Sequence, residues 1–526
     1  MTVEQVDVVV IGSGFGGAIP AFHLASAGAR VVVLERGPRL AAADFGQDLN
    51  IGGYPRMVDV IHGDGVTVLA GNCVGGSSVV YFAASLRAPG FVFGRQGSLG
   101  RRIWPAVISR AALDPWYDRV ERSLPVAQVP WDQVSYAGGV FAAACDRAAR
   151  TCNPVPVAAD PTHCVNCNWM LTGCRFDAKR SMLLNYLPAA EAEGAQVRPL
   201  HEVQTIEPAL SAGSRYRVTY RVVDGQDYRQ TVSLGCLEAK VVVVAAGAVG
   251  TPVLLRRSAA LLGGMPAAVG RNFSGNGDRV SVAAMAEDKV ASLLGLHRTA
   301  TQPYGALPIG RPITAASFDH LDGTKPEFSR FSVQQIYFPP PANALATTKS
   351  GDWFGLGKKE LLRQWTSWLT LLAMTEDDNE GVFGSLPLAG SFTRLASSVG
   401  LTSLQYRPTA NTRLGWALAD AELRSILELD GLASVTPWTE AGGVVTAHPL
   451  GSARMGDNPA DSAVDAGNEL RGHPGIFVTD GAAVPTSLCV NPSLTIAALA
   501  ERASPGVVDR ARAMGLDIRY RGNLPT

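Results

Sequence analysis

Two residues in the C-terminal part of the chain have the chemistry to work on a hydroxyl group. His448 stands in Ala447-His448-Pro449-Leu450-Gly451, and Asn491 precedes Pro492, 43 residues further on. An imidazole can take the proton of an alcohol, and a carboxamide can hold the oxygen that remains. Such a pair oxidises the alcohol only if a redox group stands beside it to take the hydride. The elements that would hold such a group open the chain.

Val6 to Ile11 reads as a strand, and its continuous apolar core, Val8-Val9-Val10-Ile11, suits a strand buried on both faces of a parallel sheet. Gly12-Ser13-Gly14-Phe15-Gly16-Gly17 follows, then helical spacing over Ala18–Ala27 and a second strand, Arg30–Leu34, ending in Glu35. In such a β-α-β unit Gly12 allows the tight turn, Gly14 lets backbone N–H groups approach a pyrophosphate, and Gly17 lets the helix pack on the strand. The helix N-terminus favours phosphate, and Glu35 is spaced to accept from a ribose. Gly12, Gly14, Phe15, Gly17 and Glu35 are therefore expected at a dinucleotide.

Gly71-Asn72-Cys73-Val74-Gly75-Gly76-Ser77-Ser78 is a second glycine-rich stretch. Its backbone amides can approach a flat ring or a phosphate, which makes Gly71, Asn72, Gly75, Gly76 and Ser77 candidates; a plain turn is the alternative. His201-Glu202-Val203 begins a strand, and Tyr216–Val223 is expected to pair with residues 231–244. Val241–Val244 ends at a turn through Gly247, with a helix starting near Thr251-Pro252. Leu113-Asp114-Pro115-Trp116 opens an amphipathic helix without evident chemistry. Near the C-terminus a strand runs into Asp480, and Asn491-Pro492-Ser493 opens a helix, so both stand at the carboxyl edge where α/β sheets bind ligands.

The fold class expected is α/β, with a Rossmann-like cofactor domain and a substrate domain of sheet plus helices. The cofactor domain is discontinuous, over 1–90, 195–275 and 440–526. Residues 91–194 form an intermediate segment with a cysteine-rich loop, and 276–439 form the substrate lobe, rich in Pro and Trp (Phe338-Pro339-Pro340-Pro341, Trp353, Trp365, Trp368). Forty-six basic and 46 acidic residues cancel, so no global field draws the chain to nucleic acid or anionic lipid. No apolar stretch suits a membrane span, and the start of the chain does not read as a secretory leader, so a cytoplasmic protein is expected.

Six segments, GSGFGG with Glu35, GNCVGGSS, LDPWYDRVE, VVVVAAGAVGTPVLL, AHPLGSARMG and GIFVTDGAAVPTSLCVNPSLTIAALAER, together resemble the glucose–methanol–choline (GMC) oxidoreductases, and among them the cholesterol-oxidase-like branch. The resemblance implies a GMC/p-hydroxybenzoate-hydroxylase-like fold with non-covalent FAD. It implies Gly12, Gly14 and Gly17 at the pyrophosphate, Glu35 at the ribose, Val203 near the adenine, and Gly75, Gly76 and Ser77 beside the isoalloxazine. Asp480 and the Asn491-Pro492 turn would reach the ribityl chain and ring edge. His448 and Asn491 would face the flavin N5, with hydride passing from a bulky, sterol-like alcohol and O2 or another acceptor taking the electrons.

Two features depart from that pattern. Isomerising steroid oxidases carry a glutamate where this chain has Gln364-Trp365, and Glu360, Glu376 and Glu380 are out of register, so a built-in isomerisation is not expected. Cys164, Cys167 and Cys174 form C-x2-C-x6-C, which Cys152 or His163 would complete for zinc or an iron–sulfur cluster. A reduced loop or one disulfide is the competing reading, and no resident metal is expected. A sugar or aminoglycoside substrate is the alternative, with Glu376-Asp377-Asp378-Asn379-Glu380 pairing with ammonium groups if it lines the pocket; otherwise that run reads as a solvated loop. A flavin-binding protein without redox turnover is the further alternative.

Overall fold

A run such as Val8-Val9-Val10-Ile11 has no polar side to turn outward, so it must be covered on both faces. In the computed structural model, which describes residues 3–46, 57–97, 100–293, 311–337, 367–384, 401–437 and 443–525, it forms β1 (Val8–Ile11) at the centre of a five-stranded parallel sheet. β2 (Val31–Leu34) and β3 (Gln196–Arg198) lie on one side, and β4 (Val241–Val244) and the strand Ile476–Val478 on the other. The strands share one direction, so Ile11, Leu34, Val244 and Val478 end at a common edge. Helix α1 (Phe15–Ser26) is buried along its whole length and packs on the C-terminal helix Ser493–Ala513. Between them His23 Nε2 meets Glu501 at 3.0 Å, and Tyr186 and Arg119 donate to the same carboxylate at 2.6 and 3.0 Å.

Both helices that leave the central strands contain a proline in their second turn. Pro20 in α1 cannot donate to the Gly16 carbonyl, and Pro252 in α2 (Gly247–Ser258) cannot donate to that of Ala248. Each carbonyl receives a hydroxyl from the C-terminal part of the chain instead. Thr479 donates to Gly16 at 2.6 Å and Ser452 donates to Ala248 at 2.7 Å. α2 also starts earlier than its proline suggests, because Asp480 accepts from the Gly247 N–H at 2.6 Å and stabilises the first turn.

Two further boundaries differ from expectation. Ser109 caps the amphipathic helix, accepting from Ala112 N–H at 3.1 Å, so it runs Arg110–Ser123 and encloses Pro115. Tyr216–Val223 pairs with His201–Pro208 on one side and with Thr231–Ala239 on the other, but not beyond. At Lys240 the chain leaves this antiparallel sheet, and β4 joins the parallel one.

The second layer is a six-stranded antiparallel sheet in which β5 (Asp278–Met285), β6 (Phe331–Ile336) and β7 (Trp368–Thr375) are central, flanked by Ala433–Pro437, Ala315–Ser317 and Asn153–Pro154. Its back face (Ala283, Phe331, Val333, Leu369, Leu371) forms a core with the helices Tyr136–Arg147 and Ala410–Leu427. Its front face, with Val280, Ile336, Leu372 and Met374, joins the core of the parallel-sheet lobe. Residues 91–194 therefore divide: Asn153–Pro154 and the helix Tyr136–Arg147 go to this layer, while Arg110–Ser123 packs on the C-terminal helix. A third sheet pairs Val66–Gly71 with Val444–Thr446 and so delivers the chain to His448.

Phe338-Pro339-Pro340-Pro341, Trp353, Glu360, Gln364 and Trp365 lie outside the described residues, whereas Trp368 begins β7 and is buried. Among the described residues no helix is long and apolar enough to cross a membrane.

The hydroxyl-for-proline exchange predicts a specific coupling. Thr479→Val should lower stability to urea by about 1–3 kcal/mol, the usual cost of a buried carbonyl left without a donor. The penalty should shrink in a Pro20→Ala background, where the backbone N–H regained at that position can serve Gly16, and a double-mutant cycle measures the difference.

Candidate active site

The glycines of the first loop do different work. A Cβ on Gly12, at φ +93°, would stand 2.3 Å from the Ala245 oxygen, and one on Gly17 would stand 2.0 Å from the Gly12 oxygen. Gly16, which sequence reasoning passed over, is equally constrained, since its Cβ would meet the Thr479 oxygen at 2.6 Å. Gly14 differs: the nearest atom to its Cβ position is the Gly76 Cα at 4.0 Å. Packing within the protein does not require glycine there, and the gap lies before the N-terminus of α1, which has no side-chain cap.

The two glycine stretches are joined by hydrogen bonds. Gly75 N–H donates to Ser13 Oγ at 2.9 Å, and the Ser13 hydroxyl donates to Glu35 at 2.6 Å. Glu35 also takes the Ser13 N–H at 3.0 Å and the Gly37 N–H at 2.9 Å, leaving about one of its four acceptor sites free. Burial pushes its carboxyl up, against the pull of these donors. Gly71 N–H donates to Ser77 Oγ at 2.9 Å, and a Cβ on Gly76 would lie 3.0 Å from the Gly14 Cα, so the loops touch. The Asn72 amide is turned aside, accepting from Arg36 at 3.0 Å. Phe15 is buried, its ring 5.6 Å from that of Tyr81.

Val203 sits half-buried at a bulge in the strand His201–Pro208, whose His201 N–H donates to the Glu35 carbonyl at 2.8 Å. Asp480 is buried at the same sheet edge. It accepts from Gly247 N–H and the Thr251 hydroxyl, each at 2.6 Å, and from Ala482 N–H at 2.9 Å, and burial pushes its carboxyl up.

His448 and Asn491 come together as the family resemblance implied, with Asn491 Nδ2 3.2 Å from His448 Nε2. Asp278, a third member that no sequence motif had marked, accepts at the other ring nitrogen. Both of its oxygens lie 3.0 Å from Nδ1, and it also accepts from Thr446 Oγ1 at 2.8 Å. A carboxylate only accepts, so Nδ1 carries the proton and Nε2 presents a lone pair toward Asn491. The Oδ1 of Asn491 is buried without a partner.

The strap leading to Asn491 is fixed by the second layer. Asn276, itself at φ 59°, accepts from Leu488 N–H at 2.7 Å and donates to the Val490 carbonyl at 3.0 Å. Ser332 donates to the carbonyl of Cys489, another left-handed residue at φ 59°, at 2.6 Å. Pro492 then leads into the C-terminal helix, which has no side-chain cap, and Ser493 Oγ donates to the Ala84 carbonyl at 3.1 Å.

Two GMC oxidoreductase family profiles match the chain, over residues 6–276 and 430–500. The chain belongs to the GMC oxidoreductase family. It is thereby an FAD-dependent oxidoreductase acting on CH–OH groups. It is 29% identical to a cholesterol oxidase of Mycobacterium tuberculosis over 95% of this chain and 90% of that one. It is 25% identical to a long-chain-alcohol oxidase of Arabidopsis thaliana over 96% of this chain and 67% of the other. Its fold is similar to that of pyridoxine 4-oxidase from Mesorbium loti, with a TM-score of 0.64 at 18% identity over 95% and 98% of the two chains.

The residues present fit the family's cofactor. The gap before Gly14 stands at an uncapped helix end, as a pyrophosphate needs, and the orphaned Asn491 Oδ1 lies where a ring edge or substrate would meet it. Gln334, in the middle of the front face of β6, is a second group in search of a partner: it is fully buried and neither amide atom is hydrogen-bonded.

The acidic run at 376–380 is solvated only in part: Asp378 is half-buried and Glu380 exposed, while its first two carboxylates are turned inward. Glu376 and Asp377 are fully buried, Glu376 paired with Arg330 at 3.0 Å, and Asp377 accepting from Ser274 at 2.8 Å and Tyr406 at 2.9 Å. Glu376 and Asp377 directly follow β7 at the layer boundary, where internal donors replace water. Cys164, Cys167 and Cys174 are free thiols; Cys164 Sγ accepts from Arg311 at 3.4 Å and Cys174 Sγ from Lys179 N–H at 3.4 Å. Among the described residues no group of three or more His, Cys, Asp or Glu side chains is placed to hold a metal.

Lys179 fastens this cysteine loop to the second glycine stretch. Its buried amine donates to the carbonyls of Val79 and Met170, each at 2.5 Å, and of Tyr81 at 3.1 Å. Burial pushes it down to about 7 from 10.5. Between those values the unfolded chain binds more protons than the folded one, so stability should rise with pH from about 7 to about 10.5 through this group. Lys179→Met should flatten that rise in urea titrations and, by stranding three carbonyls, lower stability at every pH.

Proposed function

We propose that this GMC oxidoreductase oxidises the hydroxyl of a bulky, largely apolar alcohol to a carbonyl, using non-covalently bound FAD, with His448 as the base and Asn491 holding the substrate oxygen. The observation that carries the reading is the unprotonated Nε2 of His448, facing Asn491 Nδ2 at 3.2 Å while Asp278 holds the proton on Nδ1. FAD bound at the parallel-sheet edge supplies the hydride acceptor, and O2 or another acceptor then takes the electrons. His448 takes the hydroxyl proton at Nε2, while Asp278 keeps the ring in the productive tautomer. Asn491 donates to the substrate oxygen and fixes its distance from the base.

In this reading Gly12, Gly14, Phe15 and Gly17 hold the pyrophosphate, Glu35 the ribose and Val203 the adenine. Gly75, Gly76 and Ser77, in one loop with Gly71 and Asn72, would approach the isoalloxazine, and Asp480 and the Asn491-Pro492 turn, with Gly247 and Ser493 beside them, would reach the ribityl chain and ring edge. Residues 1–90, 195–275 and 440–526 serve the cofactor, and 276–439 the substrate. The named activities of the relatives support an apolar alcohol as substrate. The internal pairing of Glu376 and Asp377 leaves little there for an aminoglycoside.

An anaerobic panel of steroids, terpenoid and long-chain alcohols, sugars and aminoglycosides tests the reading through flavin bleaching. Apolar alcohols should bleach the flavin, and bleaching by sugars alone would overturn the substrate class. His448→Ala should retain yellow FAD yet reduce it about 10²–10⁴-fold more slowly.

A further inference from the structure

We propose that the proton taken up by His448 leaves through Asp278 into a solvent cleft on the far side of the imidazole. The inference rests on His448 being the base of the reaction proposed above. Asp278 bridges two environments. One side of its carboxylate meets His448 Nδ1 and Thr446 Oγ1, and its residue also lines a cleft of about 190 Å³ together with Gly65, Arg407, Pro408, Trp416 and Val444. His448 is not on that wall, so Asp278 is the residue shared by the imidazole's hydrogen bond and the cleft.

The cleft communicates with solvent, since the Arg407 side chain on its wall is 75% exposed. The charged groups around Asp278 are largely committed elsewhere: Arg279 to Asp420 at 2.8 Å and Arg407 to Asp64 at 3.0 Å, with Arg413 also on the wall. Tyr406, the other titratable neighbour, donates to Asp377 at 2.9 Å.

The transfer balances. The substrate O–H bond breaks and an Nε2–H bond forms, while the C–H electron pair departs as hydride to FAD. Nδ1–H then breaks, an O–H bond forms on Asp278, and that proton passes to a water in the cleft. The ring resets when Nε2 gives its proton to the final electron acceptor, a two-electron, two-proton acceptor such as dioxygen, and a proton from the cleft water returns through Asp278 to Nδ1. FAD and substrate cover the Nε2 side during this step, which makes the Nδ1 side the open one.

The test uses FAD-loaded protein labelled with 15N-histidine. The His448 Nδ1 proton should give a low-field resonance that vanishes in both Asp278→Asn and His448→Ala. Pro408→Trp, which fills the cleft away from the catalytic groups, should keep the resonance but slow its exchange with bulk water several-fold. Unchanged exchange in that variant would overturn the relay. With cholesterol and 1-dodecanol as probes, Asp278→Asn should lose about 10²-fold in turnover, and formate, small enough to enter the cleft, should restore part of it. Failure of formate to rescue a folded, FAD-loaded variant would also overturn the relay. Wild-type turnover in His448→Ala would instead sink the assignment of the base, and the exchange measurement would still report on the path itself.

Discussion

A histidine acts as a base only when one ring nitrogen is kept bare, and here that condition is met by Asp278 across a sequence gap of 170 residues. The contact joins the start of the central strand of one sheet to the chain leaving another. The turn Ser274–Asp278 therefore works twice. Asp278 orients the imidazole, and Asn276, two residues earlier, grips the strap that carries Asn491. Both side chains take their positions from one short turn, so their separation of 3.2 Å is set without long side chains that would have to be ordered.

The rest of the architecture makes that turn stiff. Buried charges on either side are satisfied internally: Glu376 by Arg330, and Asp377 by Ser274, Tyr406 and backbone N–H groups. Unpaired, either would be costly at such burial. The layer boundary thus resists shear between the sheet that would hold the cofactor and the sheet that would face the substrate.

Much of this is legible in the sequence wherever one residue type has few alternatives. A glycine at φ +93°, a four-residue apolar strand and a histidine beside a proline leave strong local marks. The parallel sheet follows from such marks, and the approach of His448 to Asn491 from the resemblance that the surrounding motifs carry. Asp278 is not legible, because an aspartate before an alternating strand looks like an ordinary turn residue. The acidic run misleads for a related reason: charge density suggests water, and only the folded chain shows that arginines and hydroxyls stand where water would be. Pro252 misplaces a helix start because the carbonyl it leaves free is met by Ser452, a partner 204 residues from Ala248. Gly16 and Gln334 carry no spacing signal and emerge only from what surrounds them.

The hydroxyls that replace the missing proline bonds also order events in time. α1 and α2 belong to the first half of the chain, yet each lacks one backbone partner until Ser452 and Thr479 arrive, and the parallel sheet lacks an outer strand until Ile476–Val478 docks. During synthesis the N-terminal lobe can collapse but cannot close. The loop that would cradle a pyrophosphate is completed only once residues 452–479 have docked, so cofactor capture has to follow their arrival.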